Sequence, residues 1–202
     1  LWDGKDYKNM SDQDEAKFRM IEYHKWKFKA KIFSPLAPLT VKRTPVLMTR
    51  VEYGFLGSYN KYKKSPFETF YMGGDGMSGY SSTYATETIG LRGYENGSIA
   101  GNGGYNSYGY AYSRLSMELR YPFLLEPSST IYGLVFVEAG NAWRDLKDFN
   151  PFQLKRSAGV GVRIFLPMIG LMGIDWAYGF DRPDGYDQRG GSNFHFIIGQ
   201  EF

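Results

Sequence analysis

His24-Lys25-Trp26-Lys27-Phe28-Lys29-Ala30-Lys31-Ile32 alternates without a break. Trp26, Phe28, Ala30 and Ile32 fall on one side, and Lys25, Lys27, Lys29 and Lys31 on the other. A period of two is the signature of a β-strand, whose successive side chains point to opposite faces. Two structures use such a strand. One is the edge of a soluble sheet guarded by lysines; the other is a wall between an apolar solvent and a wet interior. The stretch alone leaves the two level.

The same period recurs downstream. Leu47, Val51, Tyr53, Phe55 and Tyr59 oppose Met48, Arg50, Glu52 and Gly54, and Leu115, Met117, Leu119, Tyr121 and Phe123 oppose Arg114, Ser116, Glu118 and Arg120. Further runs cover Ile131 to Trp143, Arg156 to Leu166, Leu171 to Phe180 and Asn193 to Phe202. From Leu47 onward each run has 10 to 13 residues, the length a tilted strand needs to cross a bilayer. Connections alternate as well. Short ones at 35–45, 126–130 and 167–170 take turns with long ones at 60–110, 144–155 and 181–192, the layout of an outer-membrane barrel. Tyr53, Tyr59, Tyr121, Trp143 and Tyr178 sit near strand ends, as interfacial girdles require. A soluble sandwich has no use for one face so uniformly apolar opposite one so charged. The pattern predicts an all-β, antiparallel transmembrane β-barrel.

About seven such strands are present. Bacterial single-chain barrels have an even number and must close to satisfy their edges. The chain is therefore expected to be the C-terminal part of a larger barrel, completed by N-terminal strands. Its opening, Leu1-Trp2-Asp3-Gly4, carries neither an initiator Met nor a signal peptide, which fits a start inside a longer protein. Residues 1–23 are expected to form an extracellular loop, and residues 60–111 a long loop that enters the lumen.

Composition narrows the function. The 202 residues include no Cys, so disulfides and thiol chemistry are excluded. Basic and acidic residues number 24 and 21, a net charge of +3, too small to argue for nucleic acid. No apolar run reaches the ~18 residues of a membrane-spanning helix. Gly74, Gly76 and Gly79 have dinucleotide-fingerprint spacing but no strand–turn–helix around them. A Gly-x-Ser-x-Gly elbow and metal-ligand spacing are both absent, and the only histidines are His24 and His195. No catalytic residue, cofactor or metal is predicted. His195 reads as an inward side chain without a task.

Strand phase does single out charges. Val135, Val137 and Ala139 outward put Glu138 inside; Val160, Val162 and Ile164 outward put Arg163 inside; Ile174, Trp176 and Tyr178 outward put Asp175 inside. Gly140, Gly159, Gly161 and Gly173 lie among them, leaving room for a segment to lie against the wall. The long loop supplies a candidate in Leu91-Arg92-Gly93-Tyr94, a cation beside a glycine that permits close backbone approach. A cationic loop tip and an acidic wall make a lock; the bland alternative is a set of charges lining a wet channel.

Several segments together resemble a known family. They are Phe70-Tyr71-x-Gly73-Gly74, Leu91-Arg92-Gly93-Tyr94, Phe136-Val137-Glu138-Ala139-Gly140-Asn141-Ala142-Trp143 and Ser157-Ala158-Gly159-Val160-Gly161-Val162-Arg163, with the closing Phe202. Over roughly residues 24–202 the chain is similar to the BamA family, which folds and inserts outer-membrane β-barrels. The resemblance implies a barrel of roughly sixteen strands in the bacterial outer membrane, preceded by periplasmic POTRA domains. It also implies accessory assembly lipoproteins and client outer-membrane proteins as partners. In that family a Val-Arg-Gly-Phe loop tip tucks into the lumen and its Arg meets acidic wall residues. Arg92, Gly93 and Tyr94 occupy the tip and Glu138 the wall, with Asp175 a weaker match. The tip here has Leu and Tyr in place of Val and Phe, and the Gly/Tyr-rich insert at 101–112 has no counterpart with an assigned role. Two-partner secretion transporters and TamA-like translocation factors share the tip, so a polypeptide transporter is the alternative function.

The last strand belongs to the same expectation. Phe194, Phe196, Ile198 and Phe202 share the lipid face, and Gly199 interrupts the side-chain ladder. A closing strand of this kind pairs weakly with the first barrel strand. Such a seam opens sideways and templates an incoming strand by β-augmentation.

Overall fold

A computed structural model describes residues 7–11, 21–38, 40–41, 43–60, 62–76, 87–99, 108–126, 128–168 and 170–199. Its strands are β1 (Tyr23–Pro35), β2 (Val46–Ser58), β3 (Phe70–Met72), β4 (Glu87–Ile89), β5 (Ala111–Glu126), β6 (Ser129–Trp143), β7 (Lys155–Leu166), β8 (Gly170–Gly179) and β9 (Gly191–Ile198). Seven of them form one sheet in the order β1-β2-β5-β6-β7-β8-β9, every pair antiparallel. Strands β1 and β9 are its edges, so the sheet is open among the described residues. No described helix is long and apolar enough to cross a membrane. The architecture is the all-β, antiparallel one that the alternation predicts.

The phase follows the sequence pattern. Trp26, Phe28, Leu119, Val137, Val162 and Trp176 are exposed on the outer face, while Arg50, Glu52, Glu118, Glu138, Arg163 and Asp175 are buried on the inner one. Continuous hydrogen-bonded registers stack the inward residues into rungs. Arg50, Ser116, Glu138, Ser157 and Gly179 form one; Met48, Glu118, Phe136, Gly159, Ala177 and Asn193 form the next; Arg120, Leu134, Gly161, Asp175 and His195 form a third. One irregularity interrupts the ladder. Between β5 and β6 the register slips between Pro122 and Leu124, where proline has no N–H to donate and a bulge absorbs it.

Within the long loop, β3 and β4 pair in parallel, Phe70 with Glu87 through Met72 with Ile89. Three-residue strands are too short to show a period, and sequence patterning did not predict them. Phe70, Met72, Ile89, Leu91, Tyr94 and Ile99 of the loop pack with Leu56, Tyr112 and Ala142 of the wall into one buried apolar cluster. Leu134, Phe136 and Ala177 form a second. The inside of the sheet thus has a core, and the loop supplies most of its larger cluster.

Candidate functional site: a loop tip on the inner wall

The loop is aimed before Arg92 is reached. After β4 the Leu91 N–H donates to the Gly74 carbonyl at 3.1 Å, which ties the tip to the β3–β4 pair. Leu91 is fully buried and passes over Gly140, where an added Cβ would meet Met72 Cε at 2.3 Å and Leu91 Cδ1 at 3.3 Å. Of the four glycines expected to make room for another segment, Gly140 alone does so toward the loop. An added Cβ at Gly159 would meet Phe136, at Gly161 Asp175, and at Gly173 Arg163. These three give space to the wall's own side chains, which fold over them toward the tip.

Arg92 has no exposed surface. Its guanidinium reaches three carboxylates: Nη2 meets Glu118 Oε1 at 2.5 Å and Glu138 Oε1 at 2.8 Å, and Nη1 meets Asp175 Oδ2 at 2.9 Å. The Arg92 backbone N–H donates to Glu138 Oε2 at 2.9 Å, so Glu138 holds both the side chain and the main chain. The guanidinium carbon lies 3.5 Å from the centre of the Phe136 ring, a cation–π contact made in a water-poor setting. Burial works against the charge, and Glu138, Glu118 and Asp175 more than offset it, so the Arg92 pKa rises above its ordinary value.

Each carboxylate also keeps a wall arginine. Glu138 accepts from Arg114 Nη2 at 2.8 Å and from Ser116 Oγ at 3.0 Å. Glu118 accepts from Arg120 at 2.7 and 2.9 Å. Asp175 takes two bonds from Arg163, at 2.5 and 2.7 Å, the fork geometry for which arginine is suited. The wall alone therefore balances three acids with three arginines, and Arg92 enters as the extra cation.

Gly93 turns the chain with φ of +87°, a conformation that side chains rarely adopt. Space closes the position further, since an added Cβ would lie 2.9 Å from Gly179 N and 3.0 Å from Tyr178 C. Its backbone is gripped by β9: the N–H donates to His195 Nε2 at 2.9 Å, and the carbonyl accepts from Asn193 Nδ2 at 3.0 Å. Tyr94 is buried and donates its hydroxyl to the Arg156 carbonyl at 2.7 Å. Burial pushes that phenol up to about 12, which keeps it a neutral donor.

The structure thus brings Arg92, Gly93, Tyr94, Glu138 and Asp175 together. It adds Glu118, whose inward phase was visible but whose place on the rung between those of Glu138 and Asp175 needed the cross-strand register. It also adds His195 and Asn193, which act on backbone atoms and so leave no charge pattern to find. The closing-strand residues Phe194, Phe196 and Ile198 are exposed outward, with His195 and Ile197 buried between them. Gly199 has φ of +74° and donates its N–H to the Leu171 carbonyl at 2.7 Å. Phe202, residues 1–6 and 12–20, and most of the Gly/Tyr-rich insert lie outside the described residues.

Comparisons with known proteins agree with this architecture. The family model described as Omp85 superfamily domain matches residues 17–202. The chain belongs to the Omp85 superfamily. A search of the curated proteins finds no match. Among solved structures, the chain is similar to BamA from Haemophilus ducreyi lacking POTRA domains 1-3, with 21% identity and a TM-score of 0.60. That match covers 87% of this chain and 35% of the other, so the chain spans about a third of that structure's length. The Omp85 chain is thus a BamA-like β-barrel segment of the bacterial outer membrane.

Proposed function

We propose that this Omp85 chain is part of an insertase that folds client β-barrels through a lateral seam without ATP. Arg92, Gly93 and Tyr94 form its loop–lumen lock with Glu138 and Asp175. The observation that carries this reading is the fully buried Arg92 tip, which packs against the inner face while Phe194, Phe196 and Ile198 of β9 turn outward. A plugged interior is poorly suited to passing a polypeptide. A closing strand with Phe194, Phe196 and Ile198 outward suits sideways pairing with a client strand. In the whole protein the missing barrel strands and POTRA domains complete the machine, with accessory lipoproteins bound at the periplasmic side. Residues 87–99 act as a described part of the long loop that enters the lumen.

One observation favours a polypeptide transporter instead. Glu118, Glu138 and Asp175 each keep an arginine when Arg92 is subtracted, so the wall tolerates an empty lumen. The test is the full-length protein in liposomes, assayed for insertion of a model barrel and for passage of an unfolded polypeptide. An insertase loses insertion in Arg92→Ala and shows no passage in either form. Passage that rises in Arg92→Ala, with insertion absent throughout, overturns the proposal.

A further inference from the structure

Gly93 has both its peptide N–H and its carbonyl bound by a single strand. Asn193 and His195 are two residues apart on β9 and share its inward face. Between them they accept from the Gly93 N–H and donate to its carbonyl, at 2.9 and 3.0 Å. Asn193 Nδ2 also donates to the Gly190 carbonyl at 2.8 Å, which fixes the amide in its orientation. The His195 contact fixes a tautomer too: an N–H donor facing Nε2 requires that nitrogen to be unprotonated, leaving the proton on Nδ1. An added Cβ at Gly179 would lie 2.3 Å from the Gly93 carbonyl oxygen, and one at Gly190 would lie 2.5 Å from it. The tip is therefore inserted between the end of β8 and the start of β9.

We infer that Asn193 and His195 are positioning residues that clamp the loop tip to the closing strand, so that loop seating and the order of β9 form one coupled unit. This rests on the lock reading above and extends it from the acidic wall to the seam. The physical reason is geometric: one face of β9 binds both peptide groups of Gly93, and the same tip is held by Glu118, Glu138 and Asp175 on β5, β6 and β8. Coupling of this kind is reciprocal: whatever frees the tip loosens β9, and whatever moves β9 frees the tip.

The test is amide hydrogen exchange on the full-length protein in lipid nanodiscs, following peptides that cover residues 87–99 and 191–198. In His195→Phe, which fills the space but accepts no hydrogen bond, exchange across 87–99 rises by about tenfold or more. His195→Gln restores an acceptor near the Nε2 position and returns exchange toward wild type; a merely space-filling histidine predicts the opposite order. In Arg92→Ala, exchange across 191–198 rises while β6 and β7 keep their protection. Wild-type exchange across 87–99 in His195→Phe, or across 191–198 in Arg92→Ala, overturns the coupling. Should His195→Phe not assemble, Asn193→Ala set against His195→Gln makes the same comparison, with Asn193→Ala expected to expose the tip. Insertion measured on the same variants separates the two ideas. Loosened tips with undiminished insertion leave the clamp standing and remove the lock from the mechanism.

Discussion

Two sets of ion pairs line the inner face, and they differ in surroundings more than in chemistry. At the tip, Arg92, Glu138 and Asp175 have no exposed side-chain surface. On β1, Lys25 meets Glu68 and Glu87 at 2.8 Å, Lys27 meets Glu87 at 2.6 Å, and Lys29 meets Glu52 at 3.0 Å. The distances match those at the tip, yet the Lys27 and Lys29 side chains are 45% and 58% exposed. Water competes for the lysines and salt screens them, so such pairs contribute roughly 0–1 kcal/mol. At the tip no water competes, and removing Arg92 leaves three buried carboxylates with one arginine each. Distance alone does not rank these contacts; burial and shared partners do.

The largest effect expected is therefore Arg92→Ala. Breaking a buried ion pair costs about 3–5 kcal/mol, and the arginines retained by Glu118, Glu138 and Asp175 hold this case to the lower end. Chemical unfolding of the full-length protein in micelles, beside Lys27→Ala, measures the contrast. Equal losses in the two variants would erase the distinction drawn from burial. Arg92→Lys keeps the charge but replaces a planar fork with a single ammonium, which cannot span three carboxylates or stack flat on Phe136. It is expected to lie nearer to Ala than to wild type.

A second contrast needs one step along β7. Arg163 is buried against Asp175 while Val162 is exposed on the outer face. Arginine is thus native at one position and costs about 2–4 kcal/mol at the next if that face meets the bilayer midplane. Reversible folding of Val162→Arg into liposomes measures the cost. Folding as stable as wild type would mean that the outer face is not lipid-facing there.

Within the tip, Arg92→Lys and Glu138→Gln combined test whether the contact matters for insertion. Coupled neighbours deviate from additivity by about 0.5–3 kcal/mol, and the double variant is expected to be less impaired than the two losses summed. Strictly additive losses in insertion would uncouple Glu138 from Arg92 functionally, leaving Glu118 and Asp175 as the tip's working anchors.

The fold was legible because a barrel wall has different solvents on its two faces, and the period of two records both. Val137 and Glu138 are adjacent in sequence and opposite in environment, so each strand announces its own phase. Rank among the inward charges was less legible. Glu118, Glu138 and Asp175 converge only because registers between β5, β6, β7 and β8 set them on three neighbouring rungs, and a register is a relation between strands that no single strand carries. His195 and Asn193 were harder still. Their partner is the main chain of Gly93, which offers the same N–H and C=O as any other residue. The β3–β4 pair escaped for want of length.

The smallest effect expected belongs to Glu87, on the loop strand β4. Burial alone would raise its pKa, but hydrogen bonds from Lys25 and Lys27 outweigh it, and the carboxyl sits below its ordinary value. A depressed carboxylate contributes stability above its unfolded pKa, and the contribution is lost as pH falls through the folded value. Glu87→Gln should thus be slightly less stable than wild type at neutral pH, by less than about 1 kcal/mol for a pair of this exposure. The gap should narrow once pH drops below the ordinary glutamate value of about 4.3. Salt should narrow it too, because the screening length shortens from about 10 Å at 0.1 M to about 3 Å at 1 M. Arg92→Ala measured beside it should keep most of its deficit in high salt, since ions do not enter the buried tip. Matched unfolding curves for wild type, Glu87→Gln and Arg92→Ala, at low and high salt and on both sides of that pH, decide the matter. If the Glu87→Gln deficit is insensitive to both, its pairs with Lys25 and Lys27 behave as buried ones, and exposure is the wrong quantity for ranking ion pairs inside this barrel.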